Sequence, residues 1–247
     1  MNKKILIIII AAIIIGIAAF IFWPDKESKD KDDIIPEKIE YVDLEAKDAY
    51  KLITEDKSVV ILDVSPRYEK GHIPGSINHY VGDGSLDKAI QTFNKDKTYL
   101  VYCHVDSASI PGAQKLIDAG FKKVYRLKDN YPAWINGGYP IEVALKAVNN
   151  YQGSALATRS FLDGKFQHVV TADIKDPAEG KFYEGWLVDG SKFFSTGKMI
   201  KVEGKYVLNY TASEDFRSYK DIVITEETLS EGLDNKPETH VLEGQFE

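Results

Sequence analysis

The chain has one cysteine, Cys103, among its 247 residues, so no disulfide can form within it. It also lacks an excess of positive charge, with a formal net charge of -7. A chain this acidic has no stripe of Lys and Arg to neutralise phosphates, so nucleic acid is not an expected partner. Metal-ligand patterns are missing too. His72, His79, His168 and His240 show no ligand spacing, and Asp173, Asp176, Glu179, Glu226 and Glu227 fall in no regular calcium loop. Neither a metal nor a cofactor is therefore expected. Disorder over the whole chain is excluded by composition, because hydrophobic residues make up 44% and aromatics 11%, enough for packed cores.

There is a single long apolar run. Residues 5–23 contain no charged or strongly polar side chain. As a helix they would be about 28 Å long, close to the hydrocarbon thickness of a bilayer. Lys3 and Lys4 precede the run, mixed charge follows it, and Trp23 suits an interfacial position. This asymmetry predicts a single-pass signal anchor in the cell membrane over residues 1–23, with the N-terminus cytoplasmic and the remainder extracytoplasmic. A cleaved signal peptide is the rival reading, with Gly16 and Ala18 as small residues before a cut, although the run exceeds the usual h-region. A lipoprotein signal would need a cysteine just after the run. Residues 24–38 are charged and bracketed by Pro24 and Pro36, which reads as a solvated linker.

Residues 39–145 alternate strand and helix patterns. Ala46, Ala49, Tyr50 and Ile53 mark an amphipathic helix, and residues 59–62 form an apolar run that ends in Asp63. Leu86, Ile90 and Phe93 share one side of a second helix. Residues 99–102 and 124–127 read as further buried strands, and a helix through Ala113 and Leu116 stops at Gly120. A short helix over 131–135 precedes Gly137-Gly138. Alternation at this length predicts an α/β domain with a mainly parallel sheet.

Three segments in this order, LDVSPRYEKGHIPGSIN (62–78), VYCHVDSASIPGAQKLIDAGF (101–121) and VYRLKDNYPAWINGGYPIE (124–142), resemble the signatures of the rhodanese family. The resemblance implies that Cys103 takes sulfane sulfur from a donor such as thiosulfate and passes it to a thiophilic acceptor, with a persulfide between the two steps. It implies a substrate-binding loop of His104, Val105, Asp106, Ser107, Ala108 and Ser109. A loop between a strand end and a helix start aims backbone N–H groups at the sulfur, which predicts a thiol more acidic than a free cysteine.

The loop departs from the family pattern. Glycine and arginine are common three and five residues after the cysteine, where Asp106 and Ala108 stand here. A carboxylate near the sulfur opposes the thiolate, and the absent arginine removes a cation for an anionic donor. Arg67 or Lys70 on the neighbouring signature loop are the candidates to supply that charge. Phosphatase chemistry, which in related folds uses an arginine six residues after the cysteine, is disfavoured by Ser109. His72 lies in a signature turn and reads as structural.

From residue 150 the pattern changes to period two, with turns such as Asp163-Gly164, Asp189-Gly190 and Glu203-Gly204. About seven strands over 150–247 predict a β-sandwich. The segments KFYEGWLVDG (181–190) and KPETHVLEG (236–244), with Thr225-Glu226, are similar to the outer domain of anti-sigma-K-type factors, which implies an extracytoplasmic β-domain rather than control of a sigma factor.

Two functions follow. One is a membrane-anchored sulfurtransferase or sulfane-sulfur carrier acting through Cys103 on small sulfur compounds. The other is a catalytically silent rhodanese-fold module for binding or sensing, paired with the β-domain as an interaction partner.

Overall fold

Five strands form a parallel sheet: β1 (Val42–Leu44), β2 (Val60–Asp63), β3 (Ile77–Asn78), β4 (Thr98–Tyr102) and β5 (Lys123–Leu127), in the order β1-β5-β4-β2-β3. Every neighbouring pair runs parallel. The computed structural model describes residues 40–247. The expected anchor over 1–23 and linker over 24–38 lie outside the described residues. Among the described residues, no helix is long and apolar enough to cross a membrane.

A parallel sheet must be covered on both faces, and adjacent residues of each strand serve opposite sides. Leu62, Val101 and Val124 enter one core with Leu86, Ala113, Leu116 and Phe121. Ile61, Leu100, Tyr102 and Leu127 enter the other with Ala49, Tyr131 and Trp134. The covering helices are α1 (Ala46–Glu55), α2 (Ser85–Ile90), α3 (Asp106–Asp118) and α4 (Asn130–Asn136). In α1 the expected apolar stripe packs inward, with Tyr50 stacked on Tyr139 at 4.6 Å and edge-on to Trp134 at 5.8 Å.

Helix α3 starts at Asp106. Asp106, Ser107, Ala108 and Ser109 therefore occupy its first turn instead of the loop the sequence suggested. The turn closes because the N–H groups of Ala108 and Ser109 both reach the Val105 carbonyl at 3.3 Å. Pro111, the sixth helical residue, lies just past the first turn and cannot donate the helical bond to the Ser107 carbonyl.

The chain then leaves the parallel sheet. Strand β6 (Ile141–Ala147) joins an antiparallel sheet with β7 (Gly153–Leu162), β8 (Lys165–Ile174), β9 (Lys181–Asp189), β10 (Lys192–Lys198), β11 (Ile200–Val202), β12 (Lys205–Ala212), β13 (Asp221–Thr228) and β14 (Thr239–Gln245). The order is β10-β9-β13-β14-β6-β7-β8-β12-β11. The Asp163-Gly164 and Glu203-Gly204 turns have positive φ at both central residues, as tight hairpins require. The strands are hydrogen-bonded as one sheet that curls until it is nearly closed, with Phe194 of β10 against Tyr210 of β12 at 5.7 Å. Period-two alternation requires only that one face be buried. Curling one sheet meets that requirement as well as stacking two would.

The two sheets share a core. Ile141, Val143 and Leu145 of β6 belong to the same apolar cluster as Leu100 and Trp134. Where α4 passes into β6, Gly138 has φ +76, and a Cβ there would lie 2.0 Å from the Phe161 carbonyl oxygen. Only glycine fits this position.

Candidate active site

Cys103 directly follows β4, which lies between β5 and β2 in the middle of the parallel sheet. Ligands of open parallel sheets gather at this carboxyl edge. Both backbone groups of Cys103 are fixed by α4: its N–H donates to Asn130 Oδ1 at 3.3 Å, and its carbonyl accepts the Tyr131 N–H at 2.9 Å. The sulfur is thereby locked to the sheet and to the helix beside it.

Cys103 is 1% exposed. Burial pushes its thiol up, and this outweighs the backbone hydrogen bonds from Val105 and His104, which favour the thiolate. Asp63 adds to the rise and Arg67 opposes it. The acidic thiol expected from the loop geometry is thus overturned by desolvation. Asp63 is itself fully buried. Its Oδ1 accepts the Ser65 N–H at 2.7 Å, and burial raises its carboxyl.

The carboxylate that acts on the sulfur is therefore Asp63, and Asp106 is engaged elsewhere. Asp106 Oδ1 accepts from Asn130 Nδ2 at 2.7 Å and from Arg126 at 2.5 Å. The Asn130 bond and then the Arg126 bond hold its carboxyl below the usual range. Arg126, on β5, also grips Asp43 through two bonds of 2.8 and 2.6 Å and donates to Ser109 Oγ at 3.2 Å. A cation from outside the loop, shared with Asp43, thus offsets part of the charge on the residue that replaces the family glycine. The one sequence signal for it was an arginine inside the strand KVYRL, between Tyr125 and Leu127, where a charge must be paired if buried.

The other proposed site residues divide by exposure. Val105 and Ser107 are exposed at the start of α3, whereas Ala108 and Ser109 are buried. His104 is 8% exposed, and its Nδ1–H donates to the Glu247 side-chain carboxylate at 2.9 Å. Burial, helped by Arg67, lowers His104 to about 4, against the pull of the Glu247 carboxylate beside its Nδ1. Arg67 pairs with the other oxygen of Glu247 and so reaches the site. Lys70 is exposed on the turn Tyr68–Lys70 and has no side-chain partner among the described residues. His72 stacks on Tyr68 at 3.8 Å, and its Nε2 lies 3.2 Å from Glu142 Oε1, which fastens the signature turn to β6. Glu247, Tyr131, Asn130 and Arg126 are site residues that the sequence reading did not name. Glu247 follows the last strand of the other sheet, and no local pattern could reveal its place at the site.

A family model for the rhodanese-like domain matches residues 45–136. A thiosulfate sulfurtransferase GlpE from Coxiella burnetii is 30% identical over 96 residues, covering 38% of this chain and 87% of that protein. The chain belongs to the rhodanese family. The GlpE of Glaesserella parasuis is 21% identical over 103 residues, 42% of this chain and 94% of that one. Among solved structures, the Alr3790 protein from Anabaena sp. is 28% identical and covers 40% of this chain and 81% of its own, with a TM-score of 0.38. A rhodanese-related protein from Thermoplasma volcanium is 28% identical over 41% of this chain and 97% of its own, with a TM-score of 0.36. The domain is compatible with a thiosulfate sulfurtransferase.

Proposed function

We propose that this chain is a sulfane-sulfur transferase that carries a persulfide on Cys103, held outside the cell membrane by an anchor over residues 1–23. The observation that carries the reading is the placement of Cys103 at the carboxyl edge of the central parallel strand, with the His104 and Val105 N–H groups on its sulfur. In the reaction, the Cys103 thiolate attacks the outer sulfur of thiosulfate. A bond forms between Sγ and that sulfur, the donor's S–S bond breaks, and sulfite leaves with the electron pair. An acceptor nucleophile then takes the outer sulfur, and the Cys103 thiolate is the leaving group. The N–H groups stabilise the anion in both steps. The Arg126 bond to Asp106 supports the reading, since it weakens the repulsion of an anionic donor by that carboxylate.

The extracytoplasmic position rests on Lys3 and Lys4 before the apolar run and on the resemblance of 181–190 and 236–244 to an outer β-domain. A reporter active only outside the cytoplasm, fused after Glu247, should be active. Activity of a cytoplasmic reporter alone would sink the orientation.

A second reading, a silent binding or sensing module, is favoured by the burial of the sulfur and its raised pKa. Thiocyanate formation from thiosulfate and cyanide separates the two. The full chain should form it, and Cys103→Ser should not. If both proceed at the same background rate, the silent reading stands.

A further inference from the structure

Phe246 and Glu247 follow β14 and return to the parallel sheet. Phe246 is 1% exposed, its ring lies 4.0 Å from the Arg159 guanidinium, and its N–H donates to the Lys220 carbonyl at 2.9 Å. This anchor fixes the position of Glu247. The Glu247 side-chain carboxylate then bridges Arg67 and His104, the residue next to Cys103.

Glu247, Arg67, His104 and Tyr131 line a cavity of about 220 Å³, several times the roughly 30 Å³ of one liquid water. In its wall the Arg67 guanidinium and His104 Nδ1, on a side chain 5% exposed, both meet the Glu247 carboxylate. A guanidinium and a buried imidazole converging on one carboxylate make an anion-binding pair.

The geometry points to an anion subsite formed by Arg67 and by His104, the residue after Cys103, filled in the resting chain by the carboxylate of Glu247. An anionic sulfur donor of the thiosulfate class binds by displacing Glu247. The inference rests on the sulfur-transfer reading for its choice of donor. The chemistry of the pocket fits that choice. Once Glu247 leaves, the Arg67 guanidinium and the His104 Nδ1–H are two donors left for an oxyanion, and the lost cation of the family loop is supplied by Arg67. With Glu247 in place, its charge cancels Arg67 and repels the donor, so the internal carboxylate sets the donor concentration needed.

The test is the affinity of the full chain for thiosulfate itself, read by thermal shift at constant ionic strength on a Cys103→Ser background, so that binding is seen without chemistry. Glu247→Gln should tighten binding severalfold, and Arg67→Gln should weaken it severalfold. With Cys103 restored, Glu247→Gln should lower KM for thiosulfate. Equal affinity in Glu247→Gln, Arg67→Gln and the parent overturns the subsite. Shifted affinities with no thiocyanate formed in any variant uphold the subsite and reject the sulfur-transfer reading.

Discussion

Replacing Arg126 with Met keeps most of the apolar stem and removes the charge that ties β1, β5 and the start of α3 together. Four hydrogen bonds are lost: two to Asp43, one to Asp106 and one to Ser109. Breaking a buried ion pair costs about 3–5 kcal/mol. Here the Arg126 side chain is 7% exposed, but those of Asp43 and Asp106 are 40% and 57% exposed, so both orphaned carboxylates regain water. The expected loss falls to about 2–3 kcal/mol after that discount. In a chain of this size it should lower Tm by roughly 4–12 °C. Asp106→Asn keeps the Asn130 partner and should cost about 1 kcal/mol. The pH dependence follows from the depressed Asp106 carboxyl. Its contribution is complete above the unfolded value near about 4 and is lost as pH falls through the folded value. Arg126→Met should therefore flatten the acid limb of the stability curve. Thermal and urea melts between pH 3 and 7 measure both effects. If Arg126→Met melts within about 2 °C of the parent and keeps the same acid limb, the hub does not hold the start of α3.

Three further outcomes are expected. Alkylation of Cys103 should rise with pH about a midpoint above the roughly 8.5 of a free thiol, because burial disfavours the thiolate; a midpoint below about 8 contradicts the electrostatics assigned to the site. His104, lowered to about 4, should show imidazole NMR shifts that stay constant from pH 5.5 to 8, and a titration near about 6.5 would refute its burial. Gly138→Ala should cost about 3 kcal/mol or more in urea melts, since its Cβ meets a backbone carbonyl, whereas Gly75→Ala, with φ +78 but open space, should cost only about 1 kcal/mol; equal costs would refute the close-packing argument.

The parallel sheet was legible because its buried strands are short apolar runs with helical patterns between them. Ile61-Leu62 and Leu100-Val101 each divide between two cores, a pattern available only to a strand covered on both faces. The hairpins were legible from Asp163-Gly164 and Glu203-Gly204. What alternation could not convey was the closure of the β-region, because Phe194 and Tyr210 meet only through the curl of the sheet. Cys103 was readable from its motif, and its raised pKa was not. The motif shows the N–H groups aimed at the sulfur, but the burial that outweighs them comes from packing contributed by distant segments. Asp106 misled for the same reason. Its sequence neighbours lack a compensating cation, while Arg126, twenty residues away in sequence, bonds to it at 2.5 Å.

A sulfur that is 1% exposed can react only if something near it yields, and the contacts around Cys103 narrow what that can be. Its backbone is tied on both sides to Asn130 and Tyr131. The first turn of α3 is held through Asp106 and Ser109 by Arg126. The signature turn is fastened to β6 through His72 and Glu142, by paired backbone bonds of 2.9 and 2.8 Å as well as by the side chains. Moving any of these breaks several buried hydrogen bonds at once. The Glu247 contact differs in kind: one side chain, 28% exposed, bonded to an arginine that is itself half exposed. Exposed pairs of this sort are worth about 1 kcal/mol or less, well within what an incoming anion can replace with its own contacts to the same arginine. The C-terminal β-region therefore meets the rhodanese-like domain at two points of opposite character, holding the signature turn firmly through Glu142 and reaching Arg67 and His104 more loosely through Glu247.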